Sequence, residues 1–265
     1  MKSVKQLATV MTLLSVFVIS CDKENNGYGN PPPPVIASVV VSGSGDSTAV
    51  AGKLTEFRVL LGDPLNSTPD KTNGRREVNW DGVPASFTNN NTFPVDFFNN
   101  TDAAGPNGRK RGLQYANTTL LRIDSSDFSE IDASYANQFE AFSRKRLLVA
   151  AGTNVIDVLF RIAGTTTEAS VKGFGVVFSD VDNTNSTFIE FFNGTKSLGI
   201  FKAPAAAGSA KFSFLGVSFP GERITHLKIT AGNAALATGV KDVTDGGTKD
   251  LVAVDDFLYS EPLAQ

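Results

Sequence analysis

From Asn154 onward the chain repeats one pattern: short apolar or alternating runs, separated by Gly, Asn, Asp and Pro at intervals of about ten residues. Asn154 to Ile162 alternates cleanly, with Ile156, Val158, Phe160 and Ile162 on one face and Val155, Asp157, Leu159 and Arg161 on the other. A period of two marks a strand buried on one side. Lys172 to Phe178 is nearly all apolar or Gly, which suits a central strand covered on both faces. Thr187 to Phe192 and Leu198 to Lys202 flank Asn193-Gly194, a strong hairpin signal, although Asn193 to Ser197 is longer than a minimal turn. Lys211 to Phe219, Arg223 to Thr230 and Leu251 to Tyr259 continue the series. Such a chain buries its apolar faces by stacking sheets or closing them. The expected fold is mainly β, an antiparallel jelly-roll-like β-sandwich.

The first part of the domain reads differently. Val35 to Val41 is a β-branched run, and Gly43-Ser44-Gly45-Asp46 is expected to break it. Val50, Leu54, Phe57, Leu60 and Leu61 then follow in steps of three and four. That spacing predicts one short N-terminal helix, with Ser47 or Thr48 as its cap and Gly62 as its stop. Asp63 to Arg76 reads as a polar loop. Residues 35–265 thus form one sandwich domain.

Before this domain lies an address. Lys2 and Lys5 precede an apolar run from Leu7 to Ile19, too short and too often interrupted to span a bilayer comfortably. It ends at Val18-Ile19-Ser20-Cys21. This resembles the lipobox of bacterial lipoproteins, in which the signal is cut before the Cys and the Cys receives acyl chains. The resemblance implies a signal peptide over residues 1–20, lipidation at Cys21 and a lipid bilayer as partner. Several acyl chains anchor stably where one is marginal. Asp22 resembles the inner-membrane retention residue of enteric bacteria, whereas Asp22-Lys23-Glu24 resembles an acidic surface-export signal. The expected location is the bacterial cell envelope, at the outer membrane. Residues 21–34 end in four prolines and read as a stiff tether.

Composition removes several function classes. The single Cys forbids an intramolecular disulfide, a cysteine zinc site and Cys-pair redox chemistry. The single His, His226, stands beside Lys228 on what reads as a solvated strand face, so a Ser-His-Asp site is not expected. A net charge of −3 offers no polyanion surface, and no Gly-rich loop joins a strand to a helix. Neither nucleic acid nor nucleotide is an expected partner. The clusters Arg75-Arg76 and Arg109-Lys110-Arg111 read as solvated surface.

Three constellations remain. Asp180-Val181-Asp182-Asn183-Thr184-Asn185 follows the buried strand and is rich in oxygen ligands, as calcium prefers. It is no EF-hand, because Asn185 and Phe191 occupy the positions of the required Gly and Glu. The alternative is a turn whose side chains bond the backbone. Asp255-Asp256 lies on the last strand. Adjacent strand residues face opposite ways unless the strand bulges, so one carboxylate points inward and needs an ion, Arg223 or backbone N–H groups. Asp256 joins Asp180 and Asp182 as a candidate metal ligand, by analogy with carbohydrate modules that hold a structural calcium near their terminal strand. Asn79-Trp80-Asp81-Gly82 holds the only Trp. Trp80 could stack on a sugar with Asp81 binding its hydroxyls, or Trp80 could seal one end of the core.

Several segments form a set: Phe57–Gly62, Gly74–Pro84, Gly173–Asp182, Phe214–Phe219 and Asp255–Phe257. They resemble a group of uncharacterised exported bacterial proteins, some with PEP-type C-terminal sorting tails. The resemblance implies a β-sandwich similar to carbohydrate-binding domains and no known activity. No such tail follows Glu261-Pro262, and lipid on Cys21 would serve the same end. The expected function is a non-catalytic binding or surface module, for glycans with a structural calcium. The alternatives are a polysaccharide hydrolase working through Asp and Glu, and a purely structural envelope component.

Replacing Cys21 by Ala is expected to abolish metabolic labelling of the protein with palmitate. Unchanged labelling would remove the lipid anchor.

Overall fold

The computed structural model describes residues 35–116, 118, 120–206 and 211–265. The expected signal peptide, Cys21 and the tether up to residue 34 lie outside the described residues. In chain order the elements begin with β1 (Val39–Gly45) and α1 (Ser47–Leu61). Next come β2 (Arg75–Val78), β3 (Leu113–Tyr115), β4 (Leu121–Asp124), β5 (Leu147–Ala150) and β6 (Val155–Phe160). The series continues with β7 (Ala169–Ser170), β8 (Gly173–Ser179), β9 (Phe188–Asn193), β10 (Lys196–Lys202) and β11 (Phe212–Ser218). β12 (His226–Thr230), β13 (Ala253–Ser260) and β14 (Leu263–Ala264) complete it. Every ladder between these strands is antiparallel.

The larger sheet runs β1-β11-β8-β13-β5-β4, with β2 also paired to β13. The smaller runs β10-β9-β12-β6-β3, and β14 pairs β7 in a short ribbon. Period-two alternation divides the side chains between layers. On β8, Phe174, Val176 and Phe178 join Ile156, Val158 and Phe160 of β6 in the core between the sheets. Val177 faces the other way, into a second cluster with Val50, Leu54, Phe57 and Leu61 of α1. Farther along, Phe128, Tyr135 and Phe139 cover Leu147, Leu251 and Ala253. The larger sheet is thus covered on both faces, and the fold is the expected antiparallel sandwich with one N-terminal helix.

Details differ from the sequence reading. β1 runs through Gly43 to Gly45 and stops only at Asp46. The helix cap is Asp46, whose carboxylate accepts the Ala49 N–H at 2.8 Å. Ser47 and Thr48 are already helical, so the cap falls one residue earlier than expected. Gly62 does end the helix, at φ +92°. The β9–β10 hairpin is tighter than expected: Asn193 pairs with Lys196, leaving Gly194-Thr195 as the turn. The surplus length is absorbed in a bulge between Ser197 and Gly199.

Arg76 also departs from the surface reading. It is fully buried and grips Glu261 through Nε at 2.8 Å and Nη2 at 2.6 Å. The same guanidinium donates to the carbonyls of Lys110 and Thr68, and Asn66 donates to Glu261. A buried charge persists when its partners are this complete. The pair fastens the segment after β13 to β2.

Helix and sheet meet at one close point. Gly175 and Gly216 pair across β8 and β11, and the Phe57 ring lies on them. A Cβ at Gly216 would stand 2.7 Å from that ring, and one at Gly175 2.9 Å. Gly216→Ala is expected to lower stability by about 1–3 kcal/mol through overpacking. Gly52→Ala, on the exposed side of α1 with open space around it, is expected to raise it by about 0.5–1 kcal/mol. Urea unfolding of both variants is the measurement.

Candidate functional site

β13 changes partner along its length. Val254 pairs with Leu148 of β5, while Phe257 to Ser260 pair with β2. Its register against β8 shifts between Val254 and Phe257, which places Asp255 and Asp256 on a bulge. Ser143 reaches both carboxylates there. Its N–H donates to Asp255 at 3.0 Å, and its hydroxyl donates to Asp256 at 2.6 Å. The inward charge is therefore met by a backbone N–H and a hydroxyl. Asp255 is fully buried. Burial, then the neighbouring Asp256 charge, push its carboxyl up to about 8. Burial raises Asp256 as well, against the hydrogen bonds from Ser143 and Asp255, with the charges of Glu77 and Asp81 adding.

Beside the bulge opens a cleft of about 620 Å³. Pro84, Phe97, Phe98 and Pro106 supply apolar walls, and Glu77, Asn79, Arg109, Arg111 and Asp256 supply polar groups. The Arg109 guanidinium lies 4.1 Å from the Phe97 ring centroid, a cation–π stack. Arg111 is steadied by its bond to the Asn66 carbonyl at 2.7 Å. Arg58 donates twice to Glu77, at 2.8 Å each, and Arg75 once at 2.9 Å. Burial opposes the Glu77 charge, but the two guanidinium groups prevail and hold its carboxyl below the usual range. The cleft so holds one carboxyl biased toward the proton and one biased against it.

The sequence left Trp80 either as a sugar platform beside Asp81 or as a seal on one end of the core. Trp80 is fully buried and packs edge-on against Phe257 at 5.1 Å, so it seals the core and offers no face to a ligand. Asp81 accepts the Lys145 N–H at 3.2 Å. The cleft begins at the neighbouring residues Asn79 and Gly82. Arg109 and Arg111, read as surface charge, line it. Their apolar neighbours Phe97 and Phe98 were the available signal: a basic cluster a dozen residues after an aromatic pair.

The second candidate lies at the end of β8. One oxygen from each of Asp180, Asp182 and Asp242 falls within 4.8 Å of the others. Asp256, the third expected metal ligand, is not among them; it sits on the β13 bulge in the cleft. Asp180 adopts φ +69° as the chain leaves the strand. The following loop is fixed from Asp250, which accepts the N–H groups of Asp182 at 3.2 Å and Asn183 at 3.0 Å. Burial pushes Asp180 up to about 6 and Asp182 up to about 7, the latter also through Asp242 and Asp180. Asp242 is fully buried and takes N–H bonds from Leu251 and Thr244 at 2.8 Å each. Within the loop the Asn183 side chain accepts the Asn185 N–H at 2.9 Å, as a polar turn would, while the carboxylates of Asp180 and Asp182 converge with that of Asp242.

His226 is half-buried and stacks on Phe192, rings 4.6 Å apart. Burial lowers its pKa, and its neighbours on β12 match the expected solvated face.

No protein-family model matches the chain. No curated protein matches it either. Among solved structures, a point mutant of a family 29 carbohydrate-binding module is similar, at 7% identity and a TM-score of 0.23. The alignment covers 53% of this chain and 91% of that one. At that score the likeness carries no argument about a ligand.

The Asp255–Asp256 pair sets a pH signature. An unfolded Asp titrates near 3.9, whereas folded Asp255 holds its proton to about pH 8. Its contribution is full below the unfolded value and is lost as pH rises through the folded one. Between about pH 5 and 8, the wild type is expected to lose stability more steeply than Asp255→Asn. Urea midpoints at three pH values measure this; parallel curves would contradict it.

Proposed function

We propose that the chain is an exported lipoprotein, anchored through acyl chains on Cys21, whose sandwich domain binds a saccharide in the cleft beside β13. The cleft carries this reading. Its volume falls in the range of small-ligand sites, and it combines apolar walls with a few convergent polar groups. Sugars present both surfaces: C–H faces for Phe97 and the prolines, and paired hydroxyls for the planar guanidinium groups and for Asn79. Arg109 is held over Phe97 before any ligand arrives, so little ordering is required on binding. Among the described residues no helix is long and apolar enough to cross a membrane, and the proposed attachment is by lipid alone.

One observation favours a second reading, hydrolysis. Glu77 and Asp256 line one cleft with their proton affinities pushed apart, as in acid–base carboxylate pairs. Binding remains the better reading because both Glu77 oxygens are occupied by guanidinium donors.

A glycan array with the domain from residue 36 onward tests the proposal. Residues 36–265 form one compact unit with a complete core. At least one saccharide class is expected to bind, and Arg109→Ala is expected to weaken it by about tenfold or more, the loss of one charged hydrogen bond. Binding to no saccharide would sink the glycan reading. Release of shortened products from the bound sugar would shift it to hydrolysis.

A further inference from the structure

The cluster at the end of β8 lies apart from the cleft, and its chemistry is distinct. Asp180, Asp182 and Asp242 bring carboxylate oxygens within 4.8 Å of one another, and Asp250 stands behind them as a fourth acid. Lys211 supplies one nearby positive charge, 3.8 Å from Asp180 Oδ1. It answers that oxygen only: Asp180 Oδ2 is buried and has no hydrogen-bond partner, and the same holds for Asp182 Oδ2.

A different residue type marks the same point. Gln138 is more than nine-tenths buried, at 7% exposure. Neither its Oε1 nor its Nε2 has a hydrogen-bond partner, although the side chain reaches toward the Asp180 carboxylate. Buried amides are nearly always satisfied. An unsatisfied amide that approaches the Asp180 carboxylate closely enough to favour its charge is a group that a bound cation would complete. A half-turn of the amide presents Oε1 in place of Nε2. Four protein oxygens would then converge, from three elements that are distant in sequence.

We propose that Asp180, Asp182, Asp242 and the side-chain oxygen of Gln138 hold one hard divalent cation of the calcium class. The set is all oxygen, with no nitrogen or sulfur. Calcium accepts six to eight such ligands with water completing the shell, whereas magnesium demands a near-ideal octahedron. The cation ties the loop after β8 to the Asp242–Asp250 segment, and Gln138 adds the loop that covers β5. Its role is structural.

Melting of the domain from residue 36 onward, in millimolar calcium and in EDTA, tests this. A site of the affinity usual for extracellular modules is expected to raise the midpoint by roughly 1–6 °C. Calorimetric titration with calcium chloride is expected to give one ion per chain. Asp182→Asn and Asp242→Asn are each expected to lose most of the shift. In EDTA, Asp182→Asn should melt at or above the wild type, because a like charge has been removed. Should Asp242→Asn fail to fold, Asp182→Asn and Gln138→Ala carry the comparison. Equal midpoints in calcium and EDTA would overturn the proposal, as would a full calcium shift in Asp182→Asn.

Discussion

The central strands of the larger sheet have no wet face. β8, β11 and most of β13 are buried along their whole length, between the smaller sheet on one side and α1 with the 128–139 loop on the other. A strand in that position has nowhere to send a charge. Each acidic residue on it must leave the strand, bend it or acquire donors. Asp180 follows the first course, at the turn where β8 ends. Asp255 and Asp256 follow the second and third, on a bulge that lets a single Ser143 serve both. Both candidate sites are therefore by-products of one packing decision. The glycine pair that admits Phe57 serves the same decision, since the helix closes the outer face only by pressing a ring onto bare backbone.

The sequence carried this architecture unevenly. The longer strands after Asn154 were legible because their period is either two or uniformly apolar, whereas β7 and β14, two residues each, gave no signal. Gly175 and Val177 on β8 even signalled cover on both faces. The strands between Arg75 and Ala150 were not legible: β2 to β5 hold only three or four residues each, too few for a period to show. For β2 and β5 the place is set by partners more than 100 residues away, as Val78 pairs with Phe257 and Leu148 with Val254. Basic residues misled for a related reason. Arg76 looks like any surface arginine until Glu261, at the other end of the domain, arrives beside it.

The candidate sites divide along the same line. Asp180 and Asp182 were readable as a local oxygen-rich loop, and Asp255-Asp256 as a pair of which one carboxylate must point inward and find a partner. Asp242 and Gln138 were not, because nothing local distinguishes them from other turn and loop residues. The cleft was missed by two residues. Trp80 drew attention as the only Trp, yet a ring that large is worth most in the core, and Asn79 and Gly82 on either side of it were left to line the cleft. Arg109 gained its role from Phe97, which offers it a face to lie on.

Glu77 illustrates why opposed proton affinities alone do not make a catalyst. A working carboxylate must present an oxygen to substrate or water. Glu77 spends both oxygens on Arg58 and Arg75, and through Arg58 it joins α1 to the rim of the cleft. Its low proton affinity follows from that architectural task. The acidic cluster at β8 connects to the cleft by a similar structural route. Asp242 accepts the Leu251 N–H two residues before β13 begins, and Asp250 holds the loop that leaves β8. Both acids thus hold the chain on either side of the larger sheet's central pair, Asp242 just before β13 and Asp250 just after β8.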